Sequence, residues 1–201
     1  MTRLISGVAG GRRLKVPRTG VRPTGDRARE ALFNALSHLL DLHGAAVLDL
    51  YAGSGAVGLE AWSRGAGIVT LVEQDRRTAK LIAGNAHALG FTRANVVPGS
   101  VAGVLRRPPA APYDVAFLDP PYPVADDSVA MVLQGLVDHA WLVPGALVVV
   151  ERSSRSPEPQ WPAAFTEVRH KRYGETTLWY GHAASPSSRG PSSPGPASSE
   201  E

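Results

Sequence analysis

The chain has 201 residues, 43% of them hydrophobic, and a formal net charge of +3, enough to furnish one α/β core plus tails. It contains no cysteine, which excludes disulfides and Cys-ligated zinc, and its six His lack paired ligand spacing, so no metal is expected. No apolar run reaches the roughly 18 residues of a membrane span, and the basic N-terminus has no apolar signal region. A cytoplasmic monomer without membrane contact is therefore expected.

Arg3 to Ala9 and Arg12 to Val16, joined at Gly10-Gly11, read as a β-hairpin projecting ahead of the main domain. Residues 1 to 30 carry Arg3, Arg12, Arg13, Lys15, Arg18, Arg22, Arg27 and Arg29 against Asp26 and Glu30. The excess is +6, so the remainder of the chain nets −3. Such an arm suits phosphate contacts, which position a nucleic acid without reading its sequence.

Ala28, Ala31, Leu32, Ala35, Leu36, Leu39 and Leu40 recur at helical spacing. Strands follow near 46 to 50, 68 to 72, 94 to 98, 113 to 118 and 146 to 151, with helices near 56 to 64, 76 to 89, 100 to 106 and 127 to 140. That βαβ series predicts a mostly parallel sheet covered on both faces. Thr166 to Tyr173 and Thr176 to Tyr180, split by Gly174-Glu175, read as a closing hairpin. From His182 to Glu201, seven Ser, four Pro and two Gly fill thirteen of twenty positions. This composition buries too little apolar surface to offset its ordering entropy, and disorder is expected. The expected organisation is a basic hairpin over 1–22, a catalytic domain over 23–181 and a tail over 182–201.

Two motifs carry chemistry. In Val47-Leu48-Asp49-Leu50-Tyr51-Ala52-Gly53-Ser54-Gly55-Ala56-Val57-Gly58, an apolar strand enters a turn with G-x-G-x-x-G spacing. Glu73 closes the next apolar run, Ile68 to Val72, where a carboxylate can accept ribose hydroxyls. An adenosine-containing cofactor is expected. Asp49 would repel a pyrophosphate but could pair with an ammonium group, which favours S-adenosylmethionine over NAD. The second motif, Asp119-Pro120-Pro121-Tyr122 after Val115-Ala116-Phe117-Leu118, sets a carboxylate and a stiff carbonyl beside an aromatic face. An exocyclic NH2 of a nucleobase suits those two acceptors, and stacking on the ring is worth roughly 1–3 kcal/mol.

Asp49 to Gly58, Glu73 and Asp119 to Tyr122, in that order, resemble class I S-adenosylmethionine-dependent methyltransferases acting on exocyclic amines. More narrowly, Arg22-Pro23-Thr24-Gly25-Asp26-Arg27-Ala28-Arg29-Glu30-Ala31-Leu32-Phe33-Asn34, with Arg3 to Gly7 and Gly11 to Leu14, is similar to the RsmD family of small-subunit rRNA guanine-N2 methyltransferases. That family usually reads Pro-Thr-Thr-Asp where this chain has Pro23-Thr24-Gly25-Asp26. The resemblance covers about residues 1 to 181. It implies methyl transfer to N2 of one guanine in 16S rRNA, within the 30S subunit or an assembly intermediate. It also implies a Rossmann-like, seven-stranded, mostly parallel sheet with a C-terminal antiparallel hairpin and a small N-terminal β-hairpin extension.

The site residues expected on this reading fall in three groups. Asp119, Pro120, Pro121 and Tyr122 serve catalysis; Asp49, Tyr51, Ala52, Gly53, Ser54, Gly55, Glu73, Gln74, Ser100, Val101 and Thr24 serve the cofactor; Arg3, Arg12, Arg13, Lys15, Arg22, Arg27 and Arg29 serve RNA. Arg27 and Arg29 have a second reading as partners of Asp26, Glu30 or the cofactor carboxylate, Phe33 as rim or core, and Tyr51 as cofactor flank or packing. Asp119 either takes a proton or only positions the amine. Three alternatives stand beside guanine-N2 transfer: the same chemistry on adenine N6 or another exocyclic amine, an NAD-dependent oxidoreductase, and a silent RNA-binding module.

Overall fold

The computed structural model describes residues 2–17, 26–121 and 125–184. Helix α1 (Asp26–Ser37) precedes β3 (Ala46–Leu50), α2 (Ala56–Ser63), β4 (Ile68–Glu73), α3 (Arg76–Leu89), β5 (Ala94–Pro98), α4 (Val101–Leu105), β6 (Tyr113–Leu118) and α5 (Asp126–Asp138). β7 (Leu142–Ser153), β8 (Phe165–Tyr173) and β9 (Thr176–Ala183) complete the domain, while β1 (Thr2–Arg3) and β2 (Arg13–Leu14) form a separate two-stranded sheet. The seven-stranded sheet has the order β5-β4-β3-β6-β7-β9-β8. β5, β4, β3, β6 and β7 are mutually parallel, and β9 is antiparallel to both β7 and β8.

Alternation along the strands assigns each side chain to a face. Val47, Val69, Leu71, Val115, Phe117, Leu147, Val149, Leu178 and Tyr180 join α1, α2, α3 and the hairpin in one apolar cluster. Leu48, Leu50, Val72, Ala116, Leu118, Val148, Val150 and Trp179 form the other with α4 and α5. Phe33 is fully buried in the first cluster, 6.1 Å from Phe117, and belongs to the core rather than to a cofactor rim.

β7 starts at Leu142, earlier than the run at 146 suggests, because the register shift between Tyr113 and Val115 absorbs Pro144 and Gly145. β9 runs through Ala183, and the Ala184 amide donates to Ala164. Ordered backbone thus extends into the segment expected as tail; its remainder, from residue 185, lies outside the described residues.

The hairpin forms but does not project. It pairs Thr2 with Leu14 and Arg3 with Arg13, and folds back onto α2 and α3. Glu60, wholly buried on α2, accepts the Ile5 amide at 2.7 Å and the Ser6 amide at 3.0 Å, and receives Arg64 Nε at 2.8 Å. Ser63 Oγ accepts the Ala9 amide at 2.9 Å and donates to the Ser6 carbonyl at 2.6 Å. Asn85 exchanges two hydrogen bonds with the Lys15 backbone, at 3.0 and 2.9 Å. A buried carboxylate needs such compensation, since desolvating it unpaired would cost several kcal/mol.

Candidate active site

The order β4-β3-β6 places the topological switch point between β3 and β6, where ligands of open α/β sheets bind beyond the carboxyl ends of the strands. Asp49 shares the face of Val47, and Glu73 that of Leu71. Asp119, continuing β6, falls in step with Val115 and Phe117. Three carboxylates therefore converge on the α2 side of one crevice.

Asp49 is buried, and its Oδ2 accepts the Gly58 amide at 2.9 Å. Burial raises its carboxyl pKa to about 7; the Gly58 amide opposes that rise, and the Asp119 and Glu73 carboxylates add to it. Such a group is poised to ionise when a cation arrives. Glu73 accepts the Gly53 amide through Oε2 at 2.9 Å and the Asp75 amide through Oε1 at 2.8 Å. A carboxylate offers about four lone-pair sites, so each oxygen retains capacity for a ligand hydroxyl.

The glycine turn follows from conformation as much as from size. Gly53 and Gly55 have φ of 56° and 77°, a region costly for other residues. Gly55, the N-cap of α2, has no side chain to cap the helix, and the Asp49 carboxylate takes that part by accepting the Gly58 amide of its first turn. A Cβ on Gly58 would stand 2.7 Å from Leu71 Cδ2 and 3.1 Å from Asp49 Oδ2. Tyr51, half-buried, adopts φ of 64° between strand and turn, and non-glycine strain of this kind clusters at functional sites. Burial raises its phenol pKa, against the nearby Arg152. Ala52 and Ser54 are buried within the turn, whereas Gln74 is exposed.

Ser100 caps α4, its Oγ accepting the Gly103 amide at 3.2 Å, and Val101 packs into the α4–α5 core. The Gly99 amide donates to the Glu73 carbonyl at 2.9 Å, bringing this turn beside Glu73. Asp119 is half-buried, Pro120 buried and Pro121 exposed. Arg22, Thr24, Tyr122 and the side chain of Arg27 lie outside the described residues.

Among the expected RNA contacts, Arg3, Arg12, Arg13 and Lys15 are exposed, with Arg12 Nη2 donating to the Ala88 carbonyl at 2.8 Å. Arg29 requires correction. It is fully buried, and its guanidinium donates to the Arg3 carbonyl, so it ties the hairpin to α1 instead of facing RNA. Sequence reasoning also missed Arg152, which pairs with Asp126 at the start of α5 and so ties β7 to that helix. The signal was present: Glu151-Arg152 closes the apolar run Ala146 to Val150, as Asp49, Glu73 and Asp119 close theirs. A cleft of about 400 Å³ opens at the opposite end of the strands, between Leu40, Asp114 and Pro144, away from these carboxylates.

The sheet order and the glycine turn define a class I methyltransferase fold. An RNA methyltransferase from Salinibacter ruber, solved in complex with S-adenosyl-L-homocysteine, shares it at TM-score 0.58 and 16% identity, over 81% of this chain and 94% of that one. The chain belongs to the family described as Conserved hypothetical protein 95, matched over residues 2–182, the RsmD family. Ribosomal RNA small subunit methyltransferase D of Escherichia coli K12 is 37% identical over 176 residues, 86% of this chain and 85% of that protein. The solved structure of yhhF from Escherichia coli superposes at TM-score 0.81 with 34% identity, covering 90% of this chain and 97% of that one.

Proposed function

We propose that this chain transfers the methyl group of S-adenosylmethionine to the exocyclic N2 of a guanine in small-subunit rRNA, acting on the 30S subunit or an assembly intermediate as a cytoplasmic monomer. The observation that carries the reading is the convergence of Asp49, Glu73 and Asp119 on one face of the switch point, beside the N-terminus of α2. Family membership supports rRNA methylation; guanine N2 is the finer step.

S-adenosylmethionine, when bound, supplies a methyl already activated by its sulfonium. Asp49 receives the ammonium, the N-terminal turn of α2 faces the methionyl carboxylate, and Glu73 accepts the ribose hydroxyls. Three carboxylates in one crevice suit this cationic group and would repel a pyrophosphate, which disfavours NAD. Asp119 and the Pro120 carbonyl hold the two N–H donors of the amine, and Tyr122 stacks on the flipped base. Extruding that base costs a few kcal/mol, offset by stacking and by the two hydrogen bonds. The residues contribute chiefly positioning and electrostatics.

The test supplies labelled S-adenosylmethionine to 30S particles lacking their N2-methylguanines, then digests the RNA to nucleosides. Labelled N2-methylguanosine is expected. Labelled N6-methyladenosine would overturn the choice of base, and an unlabelled particle despite tight cofactor binding would overturn the substrate.

A further inference from the structure

The docked hairpin leaves a question of charge at the mouth of the site. Its contacts reach Ser63, Asn85 and Ala88, the final turns of α2 and α3, remote from the glycine turn where α2 begins. RNA entering the crevice needs phosphate neutralisation on the other side. The edge strand β8 offers it: Arg169, His170, Lys171 and Arg172 are consecutive and all exposed, with Glu167 the strand's acidic residue.

Register places this run at the height of the catalytic corner. Leu118 pairs with Val150, Val150 with Trp179, and Trp179 with His170. One residue further along, Glu151 pairs with Leu178 and Leu178 with Lys171, the level Asp119 reaches by continuing β6. Arg169 and Lys171 stand opposite Tyr180 and Leu178, both in the cluster of the α1–α3 side, which is also the face of Asp119. From β6 to β8 is three strand intervals, about 14 Å at the usual spacing. A strand with one base in the corner can lay its neighbouring phosphates across that distance.

We infer that β8 is an RNA-docking edge, on which Arg169 and Lys171 bind the rRNA backbone flanking the base held at Asp119. This rests on the reading of an RNA substrate. Basic residues on an edge strand also deter edge-to-edge pairing; that role alone demands charge but leaves RNA affinity untouched.

The test compares the full chain with Arg169→Gln/Lys171→Gln and with a charge-matched control, Arg93→Gln/Arg106→Gln. The control residues are exposed and lie before β5 and after α4, at the opposite end of the sheet. Methyl transfer to 30S particles is followed against salt, and S-adenosylmethionine affinity by calorimetry. For the β8 variant, KM for the particle should rise about tenfold or more, and the log–log salt slope should fall by about 2. Cofactor affinity and the control should stay at wild-type values. Arg169→Lys, which keeps the charge, should retain the wild-type KM and guards against a folding defect. An unchanged KM in the β8 variant, or an equal rise in the control, overturns the assignment. A wild-type chain that labels no RNA overturns the substrate reading, and this edge with it, before any substitution is made.

Discussion

Asp49 Oδ2 accepts the Gly58 amide hydrogen at 2.9 Å, so the last turn of a strand and the first turn of a helix are joined through a carboxylate that also faces the cofactor crevice. Gly58→Ala should break this joint, because its Cβ would meet Leu71 and Asp49 inside contact distance. A loss of about 1–3 kcal/mol in stability is expected from overpacking, together with at least tenfold weaker S-adenosylmethionine binding. Thermal unfolding and calorimetry check both; wild-type values in the two would remove the joint from the account.

The raised Asp49 pKa sets a pH dependence. Its folded value near 7 lies above the ordinary value of 3.8, so between those limits the folded protein holds a proton that the unfolded chain has released. Stability of the cofactor-free protein should therefore decline as pH rises through that window. Cofactor affinity should move the opposite way, rising up to about tenfold per pH unit below pH 7 as the carboxylate ionises against the ammonium. Asp49→Asn should flatten both profiles, and calorimetry in buffers of differing ionisation enthalpy should detect the released proton.

Asp119→Ala should abolish methyl transfer while leaving S-adenosylmethionine affinity within a few fold, since the proposed partner of this carboxylate is the amine. Single-turnover transfer with bound cofactor is the measurement, and normal turnover would sink the role.

Removing the carboxylate of Glu60 strands two hairpin amides and the Arg64 guanidinium. Glu60→Ala should cost about 2–4 kcal/mol. Hydrogen exchange should find the Ile5 and Ser6 amides unprotected while β3 and β4 stay protected.

Arg152 and Asp126 tie β7 to α5, the helix that follows the Asp119 corner in the chain. Arg152→Gln should lower kcat several fold with a smaller change in cofactor affinity, because a looser corner misplaces the amine. Equal losses in both quantities would point to a general packing defect instead.

Much of the fold was legible because the strands between 46 and 118 are apolar runs ending in polar or turn-forming stretches, and the candidate site residues come from those ends. The glycine turn and Asp119-Pro120 announce themselves by local chemistry. What stayed hidden was long-range. Glu60 looks like an ordinary helical carboxylate until the hairpin, 54 and 55 residues earlier in sequence, is seen to end on it. Arg29 reads as one more surface cation, yet tertiary packing buries it. Charge counting cannot separate a solvated arginine from a structural one, and the basic run of β8 likewise acquires meaning only through its register with Asp119.

The anchoring of the hairpin has a consequence for how the chain is made. Its residues leave the ribosome before their partners do, because Glu60, Ser63 and Asn85 lie 54 to 70 residues downstream. The segment must wait, unpaired and strongly cationic, until some seventy further residues have been translated. During that interval it is a basic peptide at the surface of a particle made largely of RNA, and the closing of α2 and α3 is what withdraws it.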